Sequence, residues 1–134
     1  MHFGQEHIDR YLATDGEEGH RWERGTTTLL LTTTGRRSGD ERIAPLIYEP
    51  YGDDYLMVAS KGGSDTPPAW FLNLEADPDG HAQVLGDRFP VHARVASPDE
   101  RTDMWRTMTA VWPDYDAYQE KTEREIPVVV LERR

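Results

Sequence analysis

Residues 26–48 read TTTLLLTTTGRRSGDERIAPLIY, and residues 55–60 continue as YLMVAS. Threonines around a leucine centre, Thr26 to Thr34, favour an extended chain, because β-branched side chains fit a pleated surface. Gly35-Arg36-Arg37-Ser38-Gly39-Asp40 is a turn by composition. Arg42 to Glu49 (RIAPLIYE) forms a second strand, and Pro45, which has no N–H to donate, argues for an edge position or a bulge. Gly52-Asp53-Asp54 then turns the chain into Tyr55–Ser60, a third strand. The three predict an antiparallel meander with the first and third strands on either side of the second.

Working outward, Lys61 to Pro68 (KGGSDTPP) is a loop. Pro68 at the first helical position, with Thr66 or Asp65 as cap, opens a short helix Ala69–Ala76 that Asp77-Pro78-Asp79-Gly80 ends. His81–Leu85 and Phe89–Val95 pair as a hairpin across Gly86-Asp87. Ser97-Pro98-Asp99-Glu100 starts a helix with a capping box, and Met104, Trp105, Met108, Val111 and Trp112 form its apolar stripe. Pro113 interrupts, Tyr115–Lys121 resumes as helix, and Ile126–Leu131 is a buried final strand. On the other side, Phe3 to Leu12 has weak helical spacing before the loop Asp15–Gly19. The expectation is a mainly β fold with flanking helices: a small antiparallel β-barrel of about six strands over residues 25–134, preceded by a helical and loop segment over residues 1–24.

The chain has 134 residues, 15 Lys+Arg against 25 Asp+Glu, a net charge of −10 and no cysteine. Its length fits one domain. Its acidity argues against general nucleic-acid binding, since phosphate backbones would repel it. Without cysteine there is no disulfide, thiolate metal site or cysteine nucleophile. No apolar run approaches a membrane span, and no signal peptide is visible, so a soluble cytoplasmic protein is expected. Five histidines without metal-ligand spacing predict no metal. Neither a G-x-S-x-G elbow nor a phosphate-binding glycine fingerprint occurs.

Basic residues are few, so their grouping carries information. Arg36, Arg37 and Arg42 flank one turn, Lys61 opens a later loop, and glycines at 35, 39, 62 and 63 leave backbone N–H groups accessible. Two readings stand: solvated turn charges, or a cleft for one discrete anion such as a phosphate or carboxylate. Trp112, Tyr115 and Tyr118, with Trp70, are either core anchors or the wall of a pocket for a flat ligand. Their acidic neighbours Asp114 and Asp116 predict half-exposed tyrosines.

The ordered segments TTTLLLTTTGRRSGDERIAPLIY, YLMVASKGG, PAWFLNLEADP and WPDYDAYQEKTEREIPVVVLER resemble the deazaflavin-dependent nitroreductase family, the coenzyme F420-using branch of the split β-barrel flavoproteins. The likeness covers roughly residues 25–132. It implies a split β-barrel and an F420H2-dependent reductase passing a hydride to a small electron-poor acceptor, a quinone, nitroaromatic or activated enone. It implies that Arg36, Arg37, Ser38, Gly39 and Arg42 clamp the coenzyme's carboxylate-rich tail and that Pro45 lies along the coenzyme. Ala59, Ser60, Lys61 and Gly62 fall at its phosphate and ring edge, and Pro68, Ala69, Trp70 and Asn73 border the deazaflavin. Ile47, Trp112, Tyr115 and Tyr118 match the substrate wall, with Ser60, Tyr115 and Tyr118 as hydroxyls able to hand over a proton. Trp112 and Ile47 stand where the family often has tyrosines, a departure that bears on substrate. Two alternatives remain in view: an FMN-using split barrel, disfavoured because FMN's one phosphate leaves three arginines idle, and a non-catalytic deazaflavin carrier or sensor. A peripheral membrane contact stays open because quinones are lipid-soluble, as does the choice between monomer and homodimer.

Overall fold

A computed structural model describes residues 4–134; Met1, His2 and Phe3, and with them the start of the predicted first helix, lie outside the described residues. The chain runs through α1 (Gln5–Thr14), β1 (Thr28–Thr34), β2 (Glu41–Ile47), β3 (Glu49–Tyr51), β4 (Asp54–Val58), α2 (Ala69–Ala76), β5 (Asp79–Val84), β6 (Asp87–Val95), α3 (Pro98–Val111), α4 (Asp114–Glu120) and β7 (Val128–Arg133). The strands form one sheet in the order β2-β1-β5-β6-β7-β4-β3, every pair antiparallel. The two edge strands, β2 and β3, are separated in sequence by Tyr48 alone. Its two edges can be that close only if the sheet rolls up, which makes it a split β-barrel.

The meander is corrected by this order. β1 pairs with β2 on one side and β5 on the other, whereas β4 pairs with β3 and β7. The predicted second strand breaks at Tyr48, and its last residue, Glu49, opens a separate strand with Pro50 and Tyr51, giving seven strands rather than six. Pro45 stands opposite Leu30 on β2, an edge strand, where a missing N–H costs no ladder bond. The predicted cap of α2 is corrected too. Pro68 itself is the N-cap residue, Thr66 bonds the Lys61 ammonium, and Asp65 accepts from Thr122.

Alternation along the strands divides the interior. Leu29, Leu31, Met57, Val129 and Leu131 face the barrel interior with Phe71 and Leu74 of α2. Leu56, Val58, Val128 and Val130 point the other way, onto Met104, Met108, Trp112 and Tyr115 of the α3–α4 pair. A strand buried on both faces needs an unbroken apolar run, which explains Val128-Val129-Val130-Leu131. Leu30, out of phase with its neighbours, meets Ile8 and Tyr11 of α1. α3 starts as predicted, with Ser97 and Glu100 completing both halves of the capping box.

Candidate coenzyme and substrate site

The β1–β2 turn is closed by Gly35 N–H to the Asp40 carbonyl at 2.7 Å and Gly39 N–H to the Gly35 carbonyl at 2.8 Å. That tight closure splays Arg36, Arg37 and Arg42 outward. Arg36 is the most constrained: its backbone N–H and Nη1 both donate to Asn73 Oδ1, at 3.2 and 3.1 Å. Asn73, buried on α2, is fixed in turn by donating through Nδ2 to Thr33 Oγ1 at 3.1 Å. The helix is thereby tied to the turn, and the groove between them, about 490 Å³, is lined by Arg36, Arg37, Ser38, Arg42, Ala69, Trp70 and Asn73, with Ile43 and Ala44 as its floor.

A second cavity of about 330 Å³ adjoins the first, with Trp70 common to both. Ser60, Lys61, Gly62 and Pro68 line one side; Ile47, Trp112, Tyr115 and Tyr118 line the other. The arginine turn and the lysine loop thus line adjoining cavities that share Trp70, brought there by barrel closure and α2 rather than by a meander. Three of the sequence-predicted residues line neither cavity. Gly39 sits at the exposed turn with φ 77°, Pro45 is buried in β2, and Ala59 is fully buried in the barrel core.

The loop after β4 has an unusual backbone. Ser60 is right-handed helical (φ −82°, ψ −39°), and Lys61, Gly62 and Gly63 follow in the left-handed region at φ 47°, 64° and 87°. A right-handed residue followed by a left-handed one turns successive N–H groups toward a common point, a concavity that accepts an anion. Lys61 is not a glycine, so its positive φ is a strained conformation at the cavity edge.

The ion pairs among the described residues engage Arg10, Arg24, Arg88, Arg94, Arg101, Arg133, Arg134 and His92, and none engages Arg36, Arg37, Arg42 or Lys61. The four cations of the site share that condition with Arg21, Arg106, Lys121 and Arg124. On a chain with ten excess negative charges, four cations bordering linked cavities without a carboxylate partner fit an anionic ligand better than solvated turn charges.

In the second cavity, Tyr115 is buried, which corrects the half-exposed expectation; Val58 and Ile126 pack around it where acidic neighbours in sequence suggested solvent. Burial pushes its phenol well above the ordinary tyrosine range, with the neighbouring Tyr118 adding to the rise. Tyr118 is half-buried and accepts from Trp112 Nε1 at 3.3 Å. Ser60 is 8% exposed, and no hydrogen bond within the described residues engages its hydroxyl or that of Tyr115, although both residues line the cavity. Two residues went unread in the sequence. Trp22 closes the cavity by stacking on Trp112 at 5.5 Å, and Arg124 binds the Lys61 loop from behind. An aromatic residue in an acidic segment was the only sign of the first. Arg124 in TEREIP gave none.

Fold and cavities together define a split-barrel protein whose cleft suits a long ligand, flat and apolar at one end and anionic at the other. A family model described as F420H(2)-dependent quinone reductase matches residues 3–133, and the chain belongs to that family. It is therefore an oxidoreductase, with reduced coenzyme F420 as hydride donor. The F420H(2)-dependent quinone reductase Rv1261c of Mycobacterium tuberculosis is 41% identical over 127 residues, covering 92% of this chain and 85% of that protein. Among solved structures, an F420-H2 dependent reductase (FDR-A) aligns with a TM-score of 0.72 at 39% identity, over 78% of this chain and 93% of its own. A domain-swapped dimer aligns at 0.76 and 36% identity, over 95% of both chains.

Proposed function

We propose that this protein transfers a hydride from F420H2 to a quinone bound between Trp70 and the tyrosines of α4, with nitroaromatics and activated enones as the wider class of electron-poor acceptors. The single observation carrying this reading is the cationic groove, free of carboxylate partners, that meets an aromatic cavity at Trp70.

The residues present suit the coenzyme's chemical parts. Arg36, Arg37 and Arg42 would hold the carboxylate tail, since a guanidinium fork pairs a carboxylate bidentately. Lys61, with the N–H groups of its loop, would take the phosphate as a compact charge facing a concavity. Trp70, Pro68 and Ala69 would flank the ring. Asn73, pinned to Thr33, serves by fixing Arg36, and Gly39, Pro45 and Ala59 serve by shaping the backbone that carries the others.

When bound, the reduced coenzyme supplies the hydride, and the chain's task is orientation and electrostatics. Trp22, Trp112 and Tyr118 screen the acceptor from water. The hydroxyls of Ser60 and Tyr115, which make no hydrogen bond among the described residues, donate to the acceptor oxygen where negative charge grows. Tyr115, like any tyrosine, is protonated at neutral pH, and burial only raises its phenol further, so it is available as a donor. The proton that completes the reduced product passes through Ser60, Tyr115, Tyr118 or solvent.

The test is a fluorescence titration with F420 and separately with FMN, followed by F420H2 oxidation in the presence of a naphthoquinone. Saturable F420 binding, weak FMN binding and quinone-dependent oxidation are expected. Preferential FMN binding overturns the coenzyme assignment. Tight binding of both F420 redox forms without turnover of any acceptor makes the protein a carrier.

A further inference from the structure

Arg124 lies in the segment between α4 and β7, away from both cavity linings. It has no ion pair among the described residues. Its guanidinium donates instead to three backbone carbonyls of one loop: Nε to Ser64 at 2.8 Å, and Nη2 to Ser60 at 2.9 Å and Ala59 at 3.3 Å. A trans peptide sets its C=O and N–H on opposite sides. Pinning the Ser60 carbonyl toward Arg124 therefore turns the Lys61 N–H the other way. The pinned loop is the one that runs left-handed through Lys61, Gly62 and Gly63.

Arg124 is itself held from α4. Its carbonyl accepts from Gln119 Nε2 at 2.7 Å, and Gln119 Oε1 accepts from the Ile126 N–H at 2.9 Å. Thr122 donates to Asp65 at 2.7 Å, beyond the far end of the same loop. At Gly63 the backbone comes so near α4 that an added Cβ would stand 2.7 Å from the Tyr118 carbonyl. Loop and helix are thus one mechanical unit.

We propose that Arg124 is the positioning residue of the phosphate end of the coenzyme site: it holds the Ala59–Ser64 backbone in its anion-accepting conformation and couples that loop to the helix carrying Tyr118. The inference rests on the reading above that this loop takes the coenzyme phosphate. A methionine at 124 keeps the apolar stem and loses the donors; a lysine keeps the charge but cannot span three carbonyls.

The experiment measures dissociation constants for F420 and for its phosphate-free deazaflavin fragment in wild type, Arg124→Met, Arg124→Lys and Lys61→Ala, with thermal melting to verify folding. Arg124→Met and Arg124→Lys should each weaken F420 roughly tenfold and change fragment binding less than about twofold, as for losing one set of backbone-orienting hydrogen bonds. Full F420 affinity in Arg124→Lys overturns the proposal, since charge alone would then suffice. Equal loss for both ligands overturns it as well, because a general folding role would weaken both. Should Arg124→Met not fold, Arg124→Lys carries the test on the same ratio. If Lys61→Ala lowers the preference for F420 while both Arg124 variants retain it, the inference fails and the coenzyme reading stands. If no variant alters that preference, the phosphate placement fails and the inference with it.

Discussion

Arg36 is exposed, yet it does not wander, because two of its N–H groups converge on the buried carboxamide of Asn73. A cation held in place against its own entropy can meet a ligand at little further cost. Replacing Arg36 and Arg37 together by Ala should weaken F420 binding by at least tenfold at low salt, and raising ionic strength should weaken wild-type binding in the same direction. Salt-independent affinity in the parent protein would remove the tail clamp. Tyr118 and Tyr115 differ in what surrounds them. Tyr118→Phe removes a hydroxyl whose one hydrogen bond among the described residues is from Trp112, so acceptor kinetics should change while F420 affinity stays within about twofold. A large drop in F420 affinity would put Tyr118 on the coenzyme's side of the cavity.

The elements that carry these residues are fixed at their ends. α3 opens with Glu100 accepting from the Ser97 N–H at 2.9 Å and from both terminal nitrogens of Arg94. The Arg94 guanidinium first, then the Ser97 N–H, pulls the Glu100 carboxyl down to about 2 from its ordinary 4.5. A carboxyl lowered in the fold stabilises it fully above the unfolded value and loses that effect as pH falls toward the folded one. The melting temperatures of wild type and Glu100→Gln should therefore differ steadily above about pH 5 and converge near pH 2. A gap independent of pH would mean that packing, not charge, sets the helix start. At the other junction, Gly63 combines φ 87° with a backbone approach that forbids a Cβ. Gly63→Ala should destabilise the protein by about 1–3 kcal/mol in denaturant titration, because both the dihedral and the contact must yield.

Across the whole molecule, α1 docks through His7, Ile8 and Tyr11, and Tyr11 makes the most hydrogen bonds of the three. Tyr11 is fully buried, and its hydroxyl donates toward the Thr28 and Gln83 carbonyls at 3.1 and 3.2 Å while accepting from the Leu85 N–H at 2.8 Å. It thus ties the first helix to β1 and to the β5–β6 hairpin. Tyr11→Phe should cost about 1–3 kcal/mol, the penalty of leaving buried partners unsatisfied. Burial also pushes the Tyr11 phenol up to about 12 from 10.0. The unfolded chain ionises first, so this contribution is intact below pH 10 and is lost as pH rises toward 12. Alkaline unfolding should accordingly begin at higher pH in Tyr11→Phe relative to its own neutral stability.

The sequence by itself determined the local elements wherever composition and periodicity act over a few residues. Ser97-Pro98-Asp99-Glu100 starts α3, Ala69–Ala76 is a helix, and the buried final strand read over Ile126–Leu131 is β7, shifted two residues to Val128–Arg133. Scarce cations on an acidic chain and clustered aromatic residues marked Arg36, Arg37, Arg42, Lys61, Trp70, Trp112, Tyr115 and Tyr118, while Ser38, Ser60, Pro68, Ala69, Asn73 and Ile47 came only through the family resemblance. Strand order lay beyond the sequence. Whether β4 pairs with β2 or with β7 depends on partners some seventy residues away in sequence and on the break at Tyr48, neither of which leaves a short-range pattern. The same holds for Trp22 and Arg124, ordinary residues in loops until barrel closure sets one against Trp112 and the other behind Lys61. Side-chain chemistry is local and can be read residue by residue, but which side chains meet is decided by the path of the closed sheet.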